Sequence, residues 1–409
     1  MHAKAKVVII GGGFGGLFTA LELASELDVT LITEEDHFLF TPMLYEYFSG
    51  EVEEWHIAPR YSELLDDDVQ VIRDIVVDAD LQSKEVHLSK RSEPLKYDIL
   101  VLAVGGVTNY AGVPGAEQFS IPFRKIRHAD ELRLRMNNAL DRVAPDLPPQ
   151  DTRRALTFAV VGAGASGVEL STKMSDLLHD AFRRRALPGD ARVIVIEMGD
   201  KVVPGMGPEI REFVTDALRQ AQVEVHTLTS VLRVTEKSLI SEHEGTTTEL
   251  ETAAVVWVGG VRVNPLIEKM AIEKTKRGLI LVEPTLQLNN QERVFALGDI
   301  AFFPNIAPTL AGTAQLAFQQ AGLAARNVRA ILAGEKLQTQ KFEELGEAVS
   351  LGTAAPQCWL EERPLVDHWP GRLASHCTLR VCQRGIIVCV SGPAGFSKAQ
   401  TRDHYCRRA

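Results

Sequence analysis

With 409 residues and 45% hydrophobic content, the chain can bury more than one core, and its length favours two or more domains. Its 44 Lys and Arg against 54 Asp and Glu give a net charge of −10, which argues against general nucleic-acid binding. No apolar run reaches the roughly 18 residues of a spanning helix, and the amino-terminal segment enters a glycine loop without a leader's cleavage pattern.

Residues 6–10, "KVVII", form a short run rich in β-branched residues, suited to a buried parallel strand. "GGGFGG" follows, and then "LFTALELASEL", with apolar residues at helical spacing. Gly11, Gly13 and Gly16 therefore fit G-x-G-x-x-G between a strand and a helix. The first glycine permits the tight turn and the second lets backbone approach a pyrophosphate. The third lets the helix pack on the strand with its free amides facing the anion. A second strand, "VTLI" (29–32), completes the unit. It normally ends in an acid that bonds a ribose hydroxyl; Thr33 holds that position here, and Glu34, one residue later, is the expected replacement.

"YDILVLAVGG" (97–106) is a buried strand ending in glycines, and the Pro-containing "APDLPPQDTRR" (144–154) reads as a linker between domains. The glycine pattern then returns in "LTFAVVGAGASGVELSTKM" (156–174), with Gly162, Gly164 and Gly167. Its second strand, "ARVIVIE", ends at Glu197. Two complete phosphate-binding units are far more specific than one and imply two dinucleotides, between which a hydride can pass. A carboxylate at 197 accepts from a 2′-hydroxyl and repels a 2′-phosphate, so NADH is expected over NADPH. Downstream come "AAVVWVGGVRVNP" (253–265), "TLQLNNQERVFALGDIA" (285–301) and "AGTAQLAFQQAG" (311–322), a small-residue helix carrying adjacent amides at Gln319 and Gln320.

These pieces, in this order, resemble the two-dinucleotide-binding flavoproteins that include the pyridine nucleotide-disulfide oxidoreductases. The resemblance implies that the strand end at Gly105 and the "VFALGD" segment close an FAD site, with Asp299 on the ribityl chain. An acid after a buried strand, at the start of a helix, can accept from hydroxyls while local amides face the diphosphate; capping the helix is the plainer alternative. No cysteine precedes Cys358, so a dithiol relay of the disulfide-reductase kind is absent from the expected flavin region, and the acceptor should meet the flavin directly.

The details resemble the type II NADH dehydrogenases, single-subunit NADH:quinone oxidoreductases. "DHFLFTPMLYEYFSG" (36–50) is similar to that family's segment beside the isoalloxazine and carries Thr41 and Pro42. "VWVGGVRVNP", with Gly260, is similar to its W-x-x-G segment, and "AQLAFQQ" (314–320) to its A-Q-x-A-x-Q-Q signature. By that resemblance Gln315 lies at the FAD, while Gln319 and Gln320 donate to a quinone carbonyl, a task amides perform without changing charge. Glu169 matches a carboxylate near the meeting of nicotinamide, flavin and quinone, where it gates NAD⁺ or relays protons; local capping or pairing is the alternative. "GEVEEWHIAPRYSELL" (50–65) resembles the cyanobacterial and plastid branch, associated with demethylphylloquinone or plastoquinone reduction.

The resemblance runs to about residue 353 and then breaks. The family is expected to continue with amphipathic membrane-binding helices. Residues 354–409 instead show no sustained helical period, are interrupted by prolines, and hold all five cysteines. A shifted reading frame would produce such a change at one point. Cys377, His376 and Cys382 lack the paired spacing of a metal site, so no metal is expected.

The expected fold is α/β, with two Rossmann-like domains and the NADH domain inserted within the FAD domain. The first FAD part spans 1–120, a connection and linker 121–154, the NADH domain 155–262, the second FAD part 263–335, and an atypical segment 336–409. The expected function is non-pumping transfer from NADH through FAD to a quinone of menaquinone, ubiquinone, plastoquinone or demethylphylloquinone type. The alternatives are a reductase of a ferredoxin or rubredoxin, or a non-catalytic flavin-bound redox sensor. The expected location is the cytoplasmic face of a membrane, although the C-terminus lacks the helices for it, and a homodimer is left open.

Overall fold

The computed structural model describes residues 4–144, 146–304, 312–343 and 349–352, together with the backbone of the strands Thr378–Cys382 and Gly385–Cys389. These fall into two compact units, each assembled from separated pieces of chain. The first comprises Met1–Leu39, Ala58–Val107 and Val261–Leu345, and the second Phe40–Ile57, Thr108–Gly260 and Gly346–Ala409.

The first unit is built on a six-stranded sheet. Its order is Gln287–Leu288, Gln291–Ala296, Ile99–Leu102, Lys6–Ile10, Asp28–Thr33 and Val69–Arg73. All neighbours are parallel except the antiparallel edge strand 287–288. The central strands read as continuous apolar runs because both faces are covered: Val7, Ile9, Leu100, Val101 and Phe295 are wholly buried. Helix Phe14–Leu23 packs against helix Ala314–Ala333. Phe18 meets Phe318 edge to face at 4.7 Å, and Arg329 Nε donates to the Glu26 carboxylate at 3.0 Å. Small residues on the longer helix (Ala317, Ala321, Ala324, Ala325) are buried, so its backbone can lie close to its neighbours.

The second unit repeats the plan. Its parallel five-stranded sheet runs Val223–His226, Arg192–Ile196, Thr157–Val161, Ala254–Trp257 and Ser120–Pro122. Ala159, Ile194, Val255 and Trp257 centre its core, each fully buried aliphatic side chain being worth about 1.5–3 kcal/mol. A three-stranded antiparallel sheet of Thr229–Val234, Ser238–His243 and Thr246–Glu251 adjoins it.

The boundaries differ in detail from those expected from motif order. Residues 40–57 and 108–120 belong to the second unit. Strand Ser120–Pro122 forms an edge of its sheet, and the stretch expected as connection carries helix Ile126–Asp141. The proline-rich segment 144–154 is internal to this unit and holds most of helix Pro149–Ala155. Pro149 stands at the helix start, where a missing N–H costs nothing; prolines that looked like a linker begin a helix. Among the described residues no helix is long and apolar enough to cross a membrane. The segment 353–409, with the suspected frame change, lies outside the described residues apart from the two paired strands.

Candidate functional site

The two glycine turns are sterically alike. Gly11 takes φ +106° and its N–H donates to the Ile32 carbonyl at 2.8 Å. Gly162 takes the same φ and donates to the Ile196 carbonyl at the same distance. A side chain at Gly11 would stand 2.3 Å from the Ala103 carbonyl oxygen, and one at Gly162 would stand 2.7 Å from Gly259 Cα. A Cβ at either Gly16 or Gly167 would fall 1.8 Å from the carbonyl oxygen of the turn's first glycine. At Gly13 and Gly164, by contrast, a Cβ would meet nothing within 4 Å. Each of these middle glycines is the exposed N-cap of its helix, Phe14–Leu23 or Ala165–Arg185, and offers no side-chain cap. The bare helix ends leave amide donors aimed at open space, which fits a dinucleotide pyrophosphate.

In the first unit Tyr61, which sequence reading overlooked, donates its hydroxyl to the Gly12 carbonyl at 2.7 Å. Burial pushes its phenol up to about 12, so it stays a donor and pins the turn. Thr33 is buried with its hydroxyl toward Gly12, whereas Glu34 is exposed and its carbonyl accepts from Arg73 Nε. Asp299 lies in the short turn Gly298–Ile300. Its two oxygens approach Gly105 and Gly312, each 3.9 Å from where a Cβ would stand. A carboxylate flanked by side-chain-free positions suits the hydroxyls of a ribityl chain.

Gln315 is partly buried in the first turn of helix Ala314–Ala333. Its successors Gln319 and Gln320 part company, as adjacent helical residues about 100° apart must. Gln319 spends both halves of its amide on one backbone residue: Nε2 donates to the Glu343 carbonyl at 2.8 Å and Oε1 accepts from the Glu343 N–H at 2.9 Å. Gln320 is wholly buried. Its Oε1 accepts from Gly298 N–H at 2.7 Å, and its Nε2 has no partner among the described residues.

In the second unit Glu197 closes the glycine turn. Its carboxylate accepts from Ala163 N–H and from Gly199 N–H, each at 2.7 Å, which leaves further lone pairs on both oxygens. Gly260, with φ +123° and nothing within 4 Å of where a Cβ would stand, accepts from Asn109 N–H at 3.0 Å, while Trp257 Nε1 donates to the Asn109 carbonyl. Thr41 and Pro42 form the exposed turn Thr41–Met43 that leads into helix Leu44–Ser49. That helix packs on Ala165–Arg185 and brings Tyr45 and Glu46 to Glu169. The Glu169 carboxyl is pushed up to about 8, mainly by desolvation and further by the Glu46 charge. The Ser350 N–H, which donates to Glu169 Oε1 at 2.9 Å, and the Lys173 ammonium pull the other way. Glu46 is raised too, again first by burial. Neither the helix carrying Glu46 nor Ser350 could be tied to Glu169 by local spacing.

Two parallel sheets, each opening on a glycine turn shaped for a pyrophosphate, define a flavin- and nicotinamide-dependent oxidoreductase. The chain belongs to the pyridine nucleotide-disulphide oxidoreductase family, whose model matches residues 5–321, and within it to the type II NADH:quinone oxidoreductases. It is 32% identical over 364 residues to the demethylphylloquinone reductase NdbB of Synechocystis, covering 86% of this chain and 85% of that protein. It is 33% identical over 346 residues to the type II NADH:quinone oxidoreductase NdhA of Mycobacterium tuberculosis, covering 81% and 73%. Its fold is that of NDH2 from Plasmodium falciparum, solved in complex with NADH, at a TM-score of 0.77, with 19% identity over 87% of this chain and 89% of that one. FAD and NADH are the cofactors of this family.

Proposed function

We propose that this chain oxidises NADH and reduces a quinone, through FAD held on the first unit and NADH held on the second, without pumping protons. When bound, the flavin accepts two electrons from the nicotinamide and passes them to the quinone. The observation that carries the reading is the duplication of the glycine turn, with the same φ, the same strand-end hydrogen bond and the same open middle glycine. The residues then divide by task. Gly11, Gly13 and Gly16 cradle the FAD diphosphate, Asp299 accepts from its hydroxyl chain, and Gly105 leaves room for it. Gly162, Gly164 and Gly167 do the same for NADH, whose adenine ribose bonds Glu197. Glu169 holds a proton at neutral pH for delivery to the acceptor.

Gln319 and Gln320 remain the proposed quinone amides, Gln320 through its unspent Nε2 and Gln319 by exchanging its Glu343 bonds for the ligand. Likeness to the Synechocystis relative supports a demethylphylloquinone-type naphthoquinone as the acceptor. We further propose attachment to a membrane surface as the place where a lipid quinone is met, with a homodimer as the assembly. Steady-state oxidation of NADH by a short-chain naphthoquinone tests the activity. Turnover dependent on the quinone and faster with NADH than NADPH is expected; oxidation of NADH only by a ferredoxin or rubredoxin would replace the acceptor.

A further inference from the structure

The net reaction NADH + H⁺ + quinone → NAD⁺ + quinol takes two electrons from NADH and one proton from water in every cycle. A proton held on Glu169 must therefore be replaced from solvent each time it is used. The surroundings of Glu169 contain a set of groups able to do this. The Ser350 backbone N–H donates to Glu169 Oε1 at 2.9 Å, and Ser350 also stands beside Glu46, whose carboxyl it pulls down against the effect of burial. Glu46 Oε2 is buried and has no partner among the described residues, a costly state for a permanent carboxylate. One helical turn beyond Glu169, on the same helix face, lies Lys173. Its side chain is only 6% exposed and its ammonium is hydrogen-bonded to Glu51, which is 52% exposed. The Glu51 oxygen that meets Lys173 also accepts from Ser49 Oγ at 2.8 Å, which fixes the carboxylate in place. Tyr45 closes the other side, with Ser166 and Arg124 nearby. Its phenol is held well above the ordinary tyrosine range by burial and then by Glu169, so it does not compete as an acid.

Resting on the function proposed above, we infer that Glu46, poised by Lys173 and Glu51, is the carrier through which solvent protons reload Glu169. The proton enters at Glu51, where carboxylate and water meet. It crosses to the unpartnered oxygen of Glu46 and passes on, beside Ser350, to Glu169. Each transfer leaves a carboxylate behind that the next proton restores, so charge balances over the cycle. Lys173 is a positioning residue: its fixed positive charge keeps two neighbouring carboxylates from both going neutral.

The test uses the FAD-loaded protein and two readouts. The first is proton uptake in a single anaerobic turnover, followed with a pH-indicator dye. Glu46→Gln should slow uptake about a hundredfold or more, the scale for losing a positioned proton-transfer group, and Glu46→Asp should recover most of the rate. The second is the infrared C=O band of the protonated Glu169 carboxyl, assigned by its loss in Glu169→Gln. Its titration midpoint should fall in Glu46→Gln, which removes a like charge, and rise in Lys173→Gln, which removes an opposite one. Uptake at the wild-type rate in Glu46→Gln, with wild-type flavin content, would overturn the proposal, as would a midpoint unmoved in both variants. A wild-type protein that binds NADH but never reduces a quinone would instead reject the function itself, while the infrared shifts would still be measurable.

Discussion

Replacing Gly164 and Gly167 separately by alanine distinguishes a binding turn from a merely compact one. At Gly164 the backbone sits at φ −68° and ψ −178°, which alanine adopts freely, and the new methyl meets no protein atom within 4 Å. The fold loses at most the N-cap preference of glycine over alanine, about 1 kcal/mol. The methyl does, however, occupy the space through which backbone amides reach a pyrophosphate. Loss of one hydrogen bond to a charged group is worth about 1.5–3 kcal/mol, or roughly a ten- to hundred-fold weaker NADH affinity. At Gly167 the methyl would lie 1.8 Å from the Gly162 carbonyl oxygen, far inside the roughly 3.5 Å of a comfortable contact, so helix Ala165–Arg185 must retreat. Overpacking of that kind costs about 1–3 kcal/mol, seen as a Tm lower by several degrees. The assays are NADH titration by fluorescence and thermal unfolding of the flavin-loaded protein. Gly164→Ala should lose NADH affinity with at most a small fall in Tm, and Gly167→Ala should lose affinity with a larger fall in Tm. Wild-type NADH affinity in Gly164→Ala would refute the assignment of this turn to the nucleotide.

Other expectations follow from neighbouring contacts. Glu197→Ala should weaken NADH binding by a further ten-fold or so, from loss of a charged acceptor worth about 1.5–3 kcal/mol, and narrow the preference over NADPH; kcat/KM with each nucleotide reads both. Asp299→Ala should lower the flavin-to-protein ratio after purification, measured by absorbance, while leaving NADH binding to the second unit intact. Tyr61→Phe removes the 2.7 Å bond to the Gly12 carbonyl and should cost about 1–3 kcal/mol, the penalty for an orphaned buried acceptor, with looser FAD binding. The pH dependence carries a definite sign. Glu169 is raised from 4.5 to about 8, so between those values the folded state binds more protons than the unfolded one, and stability falls as pH rises. Denaturant unfolding should show that loss in the wild type, smaller in Glu169→Gln.

What could be read from sequence was whatever is encoded locally. The strand–glycine–helix units, Glu197 and the acid after "VFALG" each depend on residues within a few positions, and their backbone requirements leave a direct mark in glycine placement. What escaped was set by distant chain. Tyr61 reaches Gly12 only because the strand Asp28–Thr33 and the segment after it fold back on the turn. Glu46, Lys173 and Ser350 come together from three separated stretches. Two adjacent glutamines looked like a single amide tip, yet helical geometry sends Gln320 into the interior and Gln319 to the backbone of Glu343. Pro148 and Pro149 resembled part of a linker because composition alone cannot tell a helix start from a loop.

Anaerobic stopped-flow absorbance of the FAD-loaded protein tests the central claim most directly. The protein is mixed first with NADH or NADPH and then with a water-soluble naphthoquinone. Rapid bleaching by NADH, slower bleaching by NADPH, and prompt recovery of the oxidised flavin spectrum on adding quinone are the predicted results. Bleaching that persists in the presence of quinone would contradict the account, leaving two nucleotide sites and a different electron acceptor.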